Sequence, residues 1–268
     1  MRGEVTVQVV GTFAVRRGDV VLAGADIGSR KARLLLALLA VERGRWISTG
    51  WITEALWPDR PARRPAQNVA TLISRLRGRF GPDLVEGGKP MYRLGGHVAV
   101  DLNDAADLVG TAERAEDSHV ALLAARQALD LLEHADVLGA EPDVKWAEPA
   151  REQRTTLVRR ARLAAANRAL HVGELSAARD AAERAIAADA LDEAAYRALM
   201  MVHAASGEPA RALIAYERLR GTLADDLGTY PATATRDLHV DVLRGRQPMA
   251  LPKTAPRARA GPELRLRT

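Results

Sequence analysis

The chain has 268 residues, 47% hydrophobic and 4% aromatic, with 39 Lys and Arg against 34 Asp and Glu, a formal net charge of +5, and no cysteine. That length buries one large core or two modest ones, and the lack of cysteine excludes disulfides and thiolate metal sites. The longest apolar run, Leu34 to Val41, is too short to span a bilayer, and Met1-Arg2-Gly3-Glu4 opens no signal peptide, so a cytoplasmic, nucleoid-associated location is expected.

Charge is partitioned along the chain. Residues 1–100 hold sixteen Lys and Arg against eight acids, residues 101–245 seventeen against twenty-five, and residues 246–268 six against one, for balances of +8, −8 and +5. A basic front block joined to an acidic one suits a polyanion binder carrying a protein-facing domain.

From Glu4 to Val9 apolar and polar residues alternate with the period of a half-buried strand. Phe13 and Val15 continue that alternation, Arg17-Gly18-Asp19 reads as a turn, and Val20 to Leu22 completes a small antiparallel sheet. The pattern then becomes helical. Ser29 is placed to cap a helix with Ala32, Leu35, Leu36 and Leu39 on one side, ended by Gly44; Ser48 caps a second helix with Ile52, Ala55 and Leu56, stopped by Pro58.

A third helix, between Pro65 and Phe80, places Val69, Leu72, Ile73, Leu76 and Phe80 on one narrow stripe. The opposite face collects Arg64, Gln67, Thr71, Ser74, Arg75 and Gly78, with Asn68, Arg77 and Arg79 on the flanks, and no acidic residue occurs from Arg60 to Pro82. Major-groove reading needs such side chains: Arg bonds bidentately to guanine, Gln or Asn to adenine, and Thr offers a methyl to thymine. An ordinary solvated, arginine-rich helix would look the same in isolation. Beyond it, Leu84-Val85-Glu86 and Met91-Tyr92-Arg93-Leu94 flank Gly87-Gly88-Lys89-Pro90, a hairpin with a basic tip. Sheet, three helices and hairpin in this order describe a winged helix, its third helix in the major groove and its wing at the backbone or minor groove.

The second block carries an internal repeat. Gly173, Glu174, Ala178, Ala181, Glu183, Arg184, Ala190, Asp192 and Tyr196 recur 34 places later as Gly207, Glu208, Ala212, Ala215, Glu217, Arg218, Ala224, Asp226 and Tyr230, the tetratricopeptide period. Each unit should be a helix ending near the Gly, followed by a helix with Ala at the close crossing point. Two repeats do not make a solenoid core, so the amphipathic stretches Leu102–Ala115, Val120–Leu132 and Leu157–Leu170 are expected to complete the stack. Gly139 to Pro149 reads as a connection pinned by Trp146, a packing anchor. The Pro- and Arg-rich segment 246–268 is expected to be disordered.

Enzyme signatures are absent. The six histidines are scattered, expected at surface or boundary positions, and none stands in a metal-ligand spacing; no phosphate loop or nucleophile elbow occurs. No cofactor or metal is expected.

Gly28-Ser29-Arg30-Lys31-Ala32-Arg33 running into Leu34 to Leu39, then Ala55-Leu56-Trp57-Pro58, Asn68-Val69 leading to Ser74-Arg75-Leu76-Arg77, and Tyr92-Arg93-Leu94 together resemble the Streptomyces antibiotic regulatory protein family over residues 5 to 245. One departure is Met91, which stands where the family's wing has Gly. The resemblance implies a mainly α protein with a small β portion: an OmpR-type winged helix-turn-helix over residues 1–98, then an all-α, tetratricopeptide-like bacterial transcriptional activator domain over residues 99–245. It further implies an activator of a secondary-metabolite gene cluster, binding promoter direct repeats as a homodimer and touching RNA polymerase. Arg64, Gln67, Asn68, Thr71, Ser74 and Arg75 are the candidates for base contact, and Arg30, Lys31, Arg77, Arg79, Lys89 and Arg93 for phosphate or wing contact. The competing reading is a protein-interaction adaptor whose helical repeats bind a partner and whose front domain only docks.

Overall fold

The computed structural model describes residues 5–59, 63–141 and 143–246. The chain packs as two compact units, one running to Ala165 and the other starting at Ala166.

In the first unit, β1 (Val5–Gln8), β2 (Ala14–Arg17) and β3 (Val20–Ala23) form an antiparallel meander with Val7 opposite Val15 and Val15 opposite Leu22. On its other edge β1 pairs in parallel with β7 (Ala99–Val100), so the sheet order is β3-β2-β1-β7. Helix α1 (Arg30–Val41) begins where the Ser29 hydroxyl accepts the Ala32 N–H at 3.3 Å and ends before Arg43 and Gly44, both in the left-handed region. The sequence predicts a one-sided stripe for α1, but every residue from Leu34 to Ala40 is buried, because the helix lies inside the unit against neighbouring elements on several sides.

Ser48 closes β4 (Ile47–Ser48) and caps α2 (Thr49–Leu56), accepting the Trp51 N–H at 3.1 Å. Helix α3 (Pro65–Phe80) has Pro at its first position and leaves at Gly81, and its buried residues are the stripe read from the sequence: Val69, Leu72, Ile73, Leu76 and Phe80. The wing is β5 (Val85–Gly88) and β6 (Met91–Leu94), with β4 on the far side of β6, in the order β4-β6-β5.

Helices α4 (Asp101–Arg114) and α5 (Ser118–Leu132) pack closely on each other and belong to this unit, so the expected boundary after residue 98 falls inside it. The Asp101 carboxylate, at the start of α4, accepts the backbone N–H groups of Val9 at 2.9 Å and Val10 at 3.0 Å. Further along, Val10 bridges to Val137 and the Gly11 N–H reaches the Asp136 carbonyl at 2.9 Å. The connection from Gly139 contains one short turn of 3-10 helix, Lys145–Ala147, which packs against α1 and sets the Trp146 indole N–H in a buried place. Helix α6 (Glu148–His171) starts before the amphipathic stretch expected from Leu157, and on it Arg154 donates to the Leu132 carbonyl at 2.9 and 2.6 Å.

The second unit holds the end of α6, then α7 (Leu175–Ala188), α8 (Glu193–Ala205), α9 (Pro209–Leu227) and α10 (Thr233–Leu243), consecutive helices from α7 onward packing on each other. The repeat is physical in its first half. Gly173 and Gly207 adopt φ of 82° and 74°, and the following Glu174 and Glu208 N–H groups bond to the carbonyls of Ala169 and His203 at 2.8 and 2.9 Å. Both turns are the glycine C-terminal cap that stops a helix and reverses the chain. Ala178 and Ala212 are fully buried.

In its second half the repeat fails: Asp192 caps α8, whereas Asp226 lies within the longer α9, and Tyr196 is 1% exposed while Tyr230 is 73% exposed. His203 corrects the expectation of surface histidines. It is buried on α8, with Nδ1 3.1 Å from the Glu208 carboxylate, and the His203 contact is the main reason that carboxyl sits below its ordinary range. Of the tail expected to be disordered, residues 247–268 lie outside the described residues. No described helix is long and apolar enough to cross a membrane.

Candidate nucleic-acid interface

The site is built on α3. Its apolar stripe anchors it against α1, α2 and the base of the wing, which leaves the opposite side to solvent. Arg64, Gln67, Asn68, Thr71, Ser74 and Arg75 are all exposed. Arg64 is the N-cap residue and makes no side-chain capping bond. The Thr71 hydroxyl donates to the Gln67 carbonyl at 2.9 Å, so its methyl is the group left to present. From Arg64 to Arg75 the helix advances about 16 Å, at about 1.5 Å per residue. That is enough to lay these side chains along a major groove about 12 Å wide.

The six candidates for phosphate or wing contact divide. Arg79 and Lys89 are exposed, with no partner for either among the described residues. Arg30 is exposed but paired: its Nε and Nη2 donate to Glu141 at 3.2 and 2.5 Å. This hydrogen bond leads the causes that raise the Arg30 guanidinium and lower the Glu141 carboxyl. Lys31 donates to the Leu56 carbonyl and lies 5.4 Å from the Trp57 ring; burial, followed by the nearby Arg30 charge, pushes its ammonium below the usual lysine range. Arg77 spends its guanidinium on the carbonyls of Val85 and Gly87. Arg93 donates to Glu86 at 2.8 Å and stacks 4.6 Å over Trp46, while the Gly96 N–H, and then Arg93, holds the Glu86 carboxyl below its ordinary value. Four of the six are thus engaged within the fold.

Sequence reasoning missed Trp46 and Trp51, 49% and 41% exposed, which line a shallow cleft beside the wing with Met91. No periodicity marks them. Trp46 is turned out by the pairing of its neighbour Ile47 with Tyr92.

These features define a winged-helix protein whose third helix leaves its polar side open to solvent, with a helical array following it. Residues 100–243 match the family model of the bacterial transcriptional activator domain, and the chain belongs to that family, as the resemblance to the Streptomyces antibiotic regulatory proteins implied. It is 31% identical over 236 residues to the regulatory protein AfsR of Streptomyces coelicolor, covering 83% of this chain and 23% of that protein. It is 29% identical over 250 residues to the transcriptional regulatory protein EmbR of Mycobacterium tuberculosis, covering 87% of this chain and 62% of EmbR. A solved structure of Mycobacterium tuberculosis EmbR, in complex with a low affinity phosphopeptide, matches with a TM-score of 0.77 at 24% identity over 92% of this chain and 67% of that one, a likeness of fold. The chain spans about a quarter of the AfsR relatives' length, 23% and 25% in the two Streptomyces proteins. Both relatives are named as regulatory proteins.

Proposed function

We propose that this chain is a sequence-specific, DNA-binding transcriptional activator, and that it regulates a secondary-metabolite gene cluster. One observation carries the reading: the whole polar side of α3 is exposed and free of acidic residues, while its apolar side is buried. Arg64, Gln67, Asn68, Thr71, Ser74 and Arg75 read base edges, with Arg79 on phosphate and Lys89 at the wing tip. Arg30 and Arg93 reach phosphate only by exchanging Glu141 and Glu86 for it. Two copies on direct repeats about 10 to 11 base pairs apart, one helical turn, place both reading helices on one side of the duplex. The helical array of each copy then serves its neighbour or RNA polymerase.

Selection of bound sites from a random duplex pool, followed by gel shifts on the selected and scrambled duplexes at several salt concentrations, tests this. The expected result is a preference of about a thousandfold or more for the selected site, with the logarithm of the affinity falling linearly in log salt. Equal affinity for both duplexes, or salt-insensitive binding to a protein partner with none to DNA, favours the adaptor reading.

A further inference from the structure

One side chain of α3 is hydrogen-bonded to the wing. Arg77, on α3, donates from Nε to the Val85 carbonyl at 2.9 Å and from Nη2 to the same carbonyl at 2.7 Å and to the Gly87 carbonyl at 2.8 Å. The Nε–Nη2 edge is the fork with which arginine grips a phosphate in two-point fashion, and here it is filled by backbone. Those carbonyls belong to β5, the free edge of the three-stranded sheet.

The other side of the same strand is held as well. Gly87 has φ 91°, and a Cβ there would lie 2.5 Å from the Met91 carbonyl oxygen and 2.5 Å from the Trp46 ring, so the indole rests where a side chain would be. Arg93 covers that ring at 4.6 Å. Two residues along α3, Arg79 is exposed and has no partner among the described residues. Equal charges on one helix therefore have different employment.

We infer that Arg77 is a positioning residue: it fixes the wing's angle to α3, so that groove and wing contacts form together without the hairpin being ordered on binding. This rests on the DNA-binding reading and adds a residue role to it. Charge alone does not suffice for the task, because a lysine ammonium lacks the planar fork that spans two carbonyls. As a phosphate contact, by contrast, lysine would serve.

The test compares Arg77→Ala, Arg77→Lys and Arg79→Ala in the full chain on a selected duplex. Both Arg77 variants should bind about tenfold more weakly. Their salt slope should stay that of the parent, and hydroxyl-radical protection should disappear from the wing's side of the site only. Arg79→Ala should flatten the slope by about 0.9, the loss of one phosphate contact. Without DNA, amide exchange across Val85–Leu94 should be faster in both Arg77 variants. Parental binding by Arg77→Lys, a slope change in Arg77→Ala like that of Arg79→Ala, or unchanged exchange in the hairpin overturns the assignment. If the parent prefers no duplex, the DNA-binding reading fails by itself, and the exchange measurement still decides whether Arg77 holds the wing.

Discussion

Asp101 shows what one buried carboxylate does here. It accepts the N–H groups of Val9, Val10 and its own successor Leu102, at 2.9, 3.0 and 2.8 Å, where β1 has ended and its backbone would otherwise be buried without partners. Burial pushes its carboxyl above the ordinary value, with the three N–H donors pulling the other way. Asp101→Ala strands these donors and should cost about 2–4 kcal/mol of unfolding free energy in urea. Because the folded-state value is raised, this group's contribution to stability is fully present below its unfolded pKa and is lost as pH rises through the folded one. The stability margin of the parent over Asp101→Asn, which does not titrate, should therefore widen as pH falls toward the ordinary 3.8. A margin that narrows would contradict the burial argument. On the reading face, Arg75→Ala should cost about 1–3 kcal/mol on a selected duplex and relax one base position. Arg79→Ala should weaken all duplexes alike. Equal losses from both variants on both duplexes would erase the division between base and phosphate readers.

At the scale of elements, Gly207 gives a clean measure of what the repeat is for. Its φ is 74°, and a Cβ placed there would meet nothing within 4 Å, so Gly207→Ala is opposed by backbone conformation alone. A cost of about 1–2 kcal/mol is expected, read as a lowered urea midpoint with unchanged m; a neutral substitution would mean that the left-handed cap is dispensable. Elements with chemical punctuation were readable in the chain. Pro65 and Gly81 bracket α3, and Ser29 and Ser48 cap α1 and α2 through their hydroxyls. Helix α10 has no such mark, since its N-cap is Ala232 with no side-chain bond, and nothing in its residues announced it. The repeat was legible where it does mechanical work, at the paired glycine caps. It misled at Tyr230, because α9 runs on past the point where α7 stops. The intramolecular partners of four of the six phosphate candidates were not legible for another reason: a basic side chain's partner is fixed by tertiary packing. Arg30 meets an acid 111 residues away, and Arg77 and Lys31 meet main-chain carbonyls that carry no sequence signal.

For the whole molecule, the charge partition takes on a different meaning once packing sets the boundaries. Counted over residues 1–165, there are 24 Lys and Arg against 21 acids, a balance of +3; residues 166–268 hold 15 against 13, a balance of +2. The asymmetry seen along the chain is thus nearly absent between the compact units. On the proposed reading, attraction to DNA comes from the local face of α3 and the wing tip, where no carboxylate answers Arg64, Arg75, Arg79 or Lys89 among the described residues. The extent of the first compact unit predicts which fragment stands alone. A chain ending at Val98 loses β7, the parallel partner of β1, together with the Asp101 carboxylate and the Val137 bridge. Val9 and Val10, 0% and 5% exposed in the full chain, would then face water. Residues 1–165 should unfold in one cooperative step, with a free energy at least about 2 kcal/mol above that of residues 1–98, the cost of exposing the buried Val9 and Val10 side chains. They should also bind a selected duplex with the full chain's salt slope, since every proposed contact lies within them. Equal stability of the two fragments in urea would mean that α4 and α5 merely lean on the winged helix, and that the winged helix folds by itself up to residue 98.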